Sequence, residues 1–119
     1  MSSCETIQNT AFVAIDFETA DYGRDSACAL AVVRVEKGAI VERDFWYIRP
    51  PRENFMFSHI HGITWEQVAD AMTFAQLWPL LEKKLRGVKF LLAHNASFDR
   101  SVLAACCKQA RLSMPEYFF

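Results

Sequence analysis

Apolar residues fall in short blocks along the chain, separated by breaks rich in glycine, proline and polar residues. The first block, Ala11-Phe-Val-Ala-Ile-Asp-Phe-Glu18, predicts a buried β-strand over about 11–18. A turn around 21–25 follows. A second strand is expected over 27–36, with Lys37-Gly38 as a hairpin turn. A third, over 39–48, alternates through Ile40, Glu42, Asp44 and Trp46 and ends at Pro50-Pro51. Residues 52–63 read as a loop. Thr64 caps a short helix with Gln67 in the capping-box position, and Thr73 caps a second over 74–86. Pro79 is an awkward interior residue there, expected to kink the helix, and Gly87 terminates it. A fourth strand, 88–93, leads into a helix over 96–112 with Asn95 as N-cap. Met114 to Phe119 read as the approach to another strand. Three meandering strands, then helix, strand and helix, predict an α/β fold with a mixed sheet.

Two carboxylates interrupt this pattern at the end of the first strand. Asp16 and Glu18 are two residues apart, so they point to one face, about 6–7 Å from each other given rises of ~3.3 Å. Like charges that close repel, and a hard divalent cation with oxygen ligands is the usual way to offset the repulsion. Asp99 is the third acid. Counting from it, i+3, i+4, i+7 and i+11 are Val102, Leu103, Cys106 and Ala110. Asp99 therefore shares the apolar stripe of its helix and faces the sheet. Taken singly, an Asp-x-Glu at a strand end is most often solvated, and a first-turn acid is favoured by the helix dipole. Together these acids break apolar surfaces, and buried carboxylates are rare unless paired or bound to metal. The pattern points to a metal site built from Asp16, Glu18 and Asp99.

Composition narrows the class. With 119 residues, 52% of them hydrophobic, the chain suits one globular domain with a single core. No apolar run reaches membrane-spanning length, so no membrane partner is expected. The segment 1–10 is polar and lacks the pattern of a signal peptide. The cysteines, Cys4, Cys28, Cys106 and Cys107, form no Cys-x-x-Cys pair, and the adjacent two point to different sides of a helix. That argues for reduced thiols and a cytoplasmic location, with packing as the role of Cys28 and Cys106. A net charge of −1 leaves no strongly basic surface for nonspecific duplex binding. Lys83, Lys84, Arg86 and Lys89 read as a solvated helix end.

The motifs Asp16-Phe-Glu-Thr19, Ile60-His-Gly-Ile-Thr64 and Asn95-Ala-Ser-Phe-Asp99, in that order, resemble those of the DEDD 3′–5′ exonucleases. The likeness is to the proofreading epsilon subunit of bacterial DNA polymerase III and its stand-alone relatives. It runs from about Phe12 to the last residue. The resemblance implies a ribonuclease H-like fold and two divalent cations, Mg²⁺ or Mn²⁺, clamping a terminal phosphodiester. One ion would help generate hydroxide and the other would stabilise the leaving 3′-oxygen. It implies that Asp16 bridges both ions, Glu18 holds one, and Asp99 acts largely through intervening water. Thr19 would meet the 3′-terminal nucleotide through its backbone, and Ile60, His61 and Phe98 would line the pocket for base and sugar. Without the resemblance, His61 would read as a surface loop histidine, and Ile60 and Phe98 as core. The implied substrate is a single-stranded or frayed 3′ end, held by stacking and metal.

The family's third motif, a general-base histidine and a fourth aspartate five residues on within a C-terminal helix, has no counterpart. Asp99 follows His94 by five residues, but His94 closes a strand, so the two do not share a helix face. Residues 11–119 are therefore expected to be the N-terminal two-thirds of an exonuclease domain, weak or inactive alone, with an exposed apolar face inviting self-association. The leading function is 3′–5′ digestion of single-stranded DNA, with a DNA polymerase as a possible partner. The alternatives are an RNA 3′-end trimming exonuclease and a catalytically inactive nucleic-acid-binding remnant.

Overall fold

A computed structural model describes residues 10–114. Strands β1 (Phe12–Thr19), β2 (Ala27–Glu36) and β3 (Ala39–Tyr47) form an antiparallel meander. β4 (Leu91–Leu92) lies parallel to β1 on its other side, giving the mixed order β3-β2-β1-β4. The helices are α1 (Ser58–His61), α2 (Trp65–Val68), α3 (Phe74–Lys84) and α4 (Ala96–Gln109). This is the α/β arrangement that the order of apolar blocks predicts. None of the described helices is long and apolar enough to cross a membrane.

Alternation along β1 decides which side becomes core. Val13, Ile15 and Phe17 point inward and meet Leu30 and Val32 of β2. Against them pack Phe74, Leu77, Trp78 and Leu81 of α3 and Val102, Leu103, Cys106 and Cys107 of α4. Each such side chain contributes roughly 1.5–3 kcal/mol when fully buried. A second cluster, Ala20, Cys28, Ala29, Ile63 and Val68, is padded by Phe55 and Trp65. It ties the segment bearing α1 and α2 to the far end of β1. The caps predicted at Thr64 and Thr73 form: Gln67 accepts the Thr64 N–H and Gln76 the Thr73 N–H, both at 2.9 Å.

Several boundaries differ from expectation. The stretch 52–63 is not wholly a loop, because α1 forms a single turn closed by Gly62, whose N–H donates to the Ser58 carbonyl at 2.7 Å. β4 covers two residues rather than six. Val88 is buried without pairing, and apolar pattern reports burial, not hydrogen bonding. α4 stops at Gln109 rather than 112. Arg111 adopts a left-handed φ of 59°, and the Leu112 N–H returns to the Cys107 carbonyl, a stop that no glycine or asparagine advertises. Asn95 occupies the N-cap position of α4, but its side chain makes no cap bond. Pro79 stays within α3, on its exposed side. Cys106 and Cys107 are both buried, because α4 is covered over more than one face by the sheet and α3. Met114 lies in no strand, and the rest of the strand expected there, 115–119, and Cys4 fall outside the described residues.

Candidate active site

The site begins with the side of β1 that the core does not use. Asp16 is exposed and Glu18 half-buried, on the face opposite Val13, Ile15 and Phe17. Their cross-strand partners are Ala31 and Ala29, and Ala29 is buried in the second cluster, which places Glu18 beside that cluster. The register slips between Glu18 and Thr19, where two residues of β2 face one of β1. Such bulges re-aim side chains and are frequent beside functional sites.

Asp99 arrives from the other side. It is 3% exposed, and its Oδ1 accepts the Phe17 N–H at 2.9 Å, between the two acids of β1. β4 pairs with β1 only at Val13 and Ala14, so it ends too early to serve that N–H. The helix carboxylate replaces the missing strand.

Electrostatics agree with an acidic cluster. Burial pushes the Glu18 carboxyl above its usual range; Asp16 adds to the shift, His61 opposes it and Asp99 adds again. Burial likewise raises Asp99; the Phe17 N–H opposes this and the charge of Asp16 reinforces it. Among the described residues, none of the three forms an ion pair with Lys or Arg. Mutually repelling hard oxygen donors without a cationic neighbour suit a divalent ion. No group of three or more His, Cys, Asp or Glu among the described residues converges closely enough to hold an ion alone.

His61 is committed at both ring nitrogens. Nδ1 accepts the Ile63 N–H at 3.0 Å, which leaves the proton on Nε2, and Nε2 donates to the Thr19 carbonyl at 2.9 Å. His61 is therefore no loose surface residue; it fastens the His-Gly-Ile segment to the end of β1.

Glu18, Thr19, Phe57, Ile60 and His61 line a cavity of about 180 Å³. Ile60 is 70% exposed, so it is not core. Tyr22, 76% exposed, sits edge-on to Phe57 at 4.9 Å and extends the apolar rim. Phe98 is not among these lining residues. It is half-buried in the first turn of α4, under the Arg24 guanidinium at 4.8 Å. The structure thus gathers Thr19, Ile60 and His61 around Glu18 and leaves Phe98 apart. Phe57 and Tyr22 are additions. Phe57 had a signal: it lies three and four residues before Ile60 and His61, the spacing of one helical turn.

The thiols stand outside this chemistry. Burial pushes Cys28 and Cys106 up to about 12 and Cys107 to about 11, so all three are inert packing groups.

Comparison with known proteins gives a consistent result. A family model for RNase_T, described as exonuclease, matches residues 13–119. The chain is 30% identical over 112 residues to the PolC-type DNA polymerase III of Thermotoga petrophila, and equally to that of Thermotoga maritima. Each match covers 92% of this chain but only 8% of the polymerase, so the chain spans a small part of those relatives. A structure of exonuclease X in complex with 5′ overhanging duplex DNA is similar at TM-score 0.65 and 26% identity, over 91% of this chain and 79% of that one. A 3′-exonuclease recognising a histone mRNA stem-loop is similar at TM-score 0.70 and 25% identity, over 90% and 56%. An exonuclease I structure, at TM-score 0.73 and 18% identity over 88% of this chain and 25% of that one, shares the fold. The sheet is accordingly the ribonuclease H-like one of these exonucleases, and the chain belongs to the RNase_T exonuclease family.

Proposed function

We propose that this chain forms the acidic half of a metal-dependent 3′–5′ exonuclease site acting on single-stranded DNA ends. The observation that carries the reading is buried Asp99 accepting the Phe17 N–H, between Asp16 and Glu18 on β1, with Glu18 lining an apolar cavity. Asp16 and Glu18 would hold divalent ions, Mg²⁺ or Mn²⁺. Asp99 contributes through its carboxylate oxygen not taken by Phe17. When bound, two ions would activate water and neutralise charge on the departing 3′-oxygen. The chain's own residues receive the end. Ile60 and Phe57 offer apolar surface to the last base and Tyr22 to the one before it. The Thr19 carbonyl is held by His61, so Thr19 offers its remaining backbone and its place in the cavity wall.

Turnover by this chain alone is proposed to be weak. His61 has no free nitrogen, and neither His59 nor His94 shares a helix with an aspartate five residues on. A missing general base costs typically 10²–10⁴-fold. The PolC-type relatives support a polymerase as the proposed partner, in a cytoplasmic setting. RNA 3′-end trimming is the second reading, favoured by the histone mRNA exonuclease neighbour.

The test is digestion of matched 5′-labelled DNA and RNA oligonucleotides with Mn²⁺, beside Asp16→Ala and a metal-free lane. The expected result is a weak ladder shortening from the 3′ end, stronger on DNA and absent in both controls. Digestion indifferent to Asp16→Ala would place the activity outside this site, and no digestion with no metal-dependent stabilisation would replace the enzyme with an inactive nucleic-acid-binding relative.

A further inference from the structure

Three consecutive residues at the end of β1 grip the segment that walls the cavity. The Thr19 carbonyl accepts from His61 Nε2 at 2.9 Å. The Ala20 carbonyl accepts the N–H groups of Met56 and Phe57 at 2.8 and 3.2 Å. The Asp21 carboxylate takes Arg52, whose Nε and Nη2 reach Oδ2 and Oδ1 at 3.0 and 3.2 Å. The same guanidinium reaches Asp25 through Nη1 at 3.2 Å and Nη2 at 2.6 Å.

Arg52 therefore makes two paired contacts at once, a geometry that a planar fork permits and an ammonium does not. The turn is shaped to receive it. A Cβ on Gly23 would stand 2.5 Å from Arg52 Nη2 and 2.9 Å from Asp25 Oδ1, so a larger residue would push the guanidinium from its present place. The Gly23 N–H in turn donates to Asp21 Oδ1 at 2.7 Å, which aims that carboxylate. Among the described residues, these are the only side chain–side chain hydrogen bonds joining residues 20–26 to 49–61.

Arg52 is 43% exposed and Asp25 27%, and exposed ion pairs contribute only about 0–1 kcal/mol to stability. The network is better suited to fixing geometry. Its two sides carry the two halves of the apolar rim: Tyr22 lies between Asp21 and Gly23, and Phe57 and Ile60 follow Arg52.

We propose that Arg52 is a positioning residue for the cavity. By bridging Asp21 and Asp25 it seats the segment bearing Phe57, Ile60 and His61 against β1, and so sets the grip on a nucleic-acid end rather than the chemistry. The nucleic-acid part rests on the exonuclease reading above; the seating of His61 does not.

The test compares wild type with Arg52→Lys, Arg52→Ala and Asp25→Asn in the full chain. One readout is anisotropy of 5′-fluorescein oligothymidine with Mn²⁺. The other is the ¹⁵N signature of the His61 ring, which reports the Nε2-protonated tautomer. Arg52→Lys is expected to weaken oligonucleotide binding about tenfold, a difference of about 1.4 kcal/mol, while Tm falls by only a few degrees. Any measurable kcat should stay within about twofold, since grip and chemistry separate. The His61 signature should broaden toward mixed tautomers in Arg52→Lys and Arg52→Ala. Wild-type affinity in folded Arg52→Lys, or an unchanged His61 signature, overturns the proposal. Absence of binding by wild type would count against the exonuclease reading, and the His61 signature alone would then decide the role of Arg52.

Discussion

The carboxylate of Asp99 serves two ends. Oδ1 satisfies a buried backbone donor at Phe17, and the group as a whole adds charge beside Asp16. Substitution should separate these. Asp99→Ala orphans the Phe17 N–H and should cost about 1–3 kcal/mol by urea unfolding. Asp99→Asn keeps an acceptor and removes a charge that burial and Asp16 disfavour, so without metal it should melt at or above wild type near pH 7, yet lose most stabilisation by Mn²⁺. Glu18 tests the electrostatics through pH. Its carboxyl is raised by burial first and Asp16 second, so the fold disfavours its charged form. The stability it allows is present below the ordinary carboxylate range and is lost as pH rises through the raised value. Metal-free Glu18→Gln should therefore melt above wild type near pH 7, with the gap closing toward about pH 4. Equal Tm values across that range would refute the crowding of charge at the site. Asp21 and Asp25 have the opposite sign. The Arg52 hydrogen bonds hold both below their usual range, so their contribution is present above it and lost as pH falls through the lowered values.

Among the elements, legibility followed the physics of each. β1 to β3 could be read because their apolar blocks and the Lys37-Gly38 turn point the same way, and both turn residues do adopt positive φ. α4 could be read from the phase of Asp99, Val102, Leu103 and Cys106, all buried as the stripe predicts. β4 was overread, since a buried apolar run need not pair along its length. α1 was underread, since one turn has no periodicity to detect. Of the site, the acids stood out because they break apolar patterns. The face they occupy did not: alternation gives two faces, and only the packing of α3 and α4 shows which is core. Arg52 was invisible because an ion pair across 27 and 31 positions leaves no local trace. Two substitutions probe the elements. Gly62 ends α1 at φ 75°, so Gly62→Ala should cost about 1 kcal/mol and loosen His61 beside it. Pro79 lacks the N–H that α3 would use, so Pro79→Ala should raise stability by about 1–2 kcal/mol in thermal unfolding.

At the scale of the molecule, the described helices α3 and α4 pack on one face of the sheet and leave much of the other open. Val41, Phe45 and Tyr47 are exposed on edge strand β3, and Phe45 packs edge-on against Tyr47 at 5.1 Å. An uncovered edge with aromatic side chains favours strand addition. Sedimentation velocity should show concentration-dependent self-association, reduced by Phe45→Lys; a monomer at every concentration would refute it. The bond from Phe17 to Asp99 has a separate consequence. It closes a span of 82 residues, far longer than any contact within the β1–β3 meander. Contacts of such separation form late, because the chain must surrender more freedom before they repay it. A nascent chain can pair β1 with β2 and β3 while α4 is still being made, but it cannot then bring the third acid to the first two. The acidic cluster is thus an interlock: the three acids are not brought together until the distant parts of the chain have found each other.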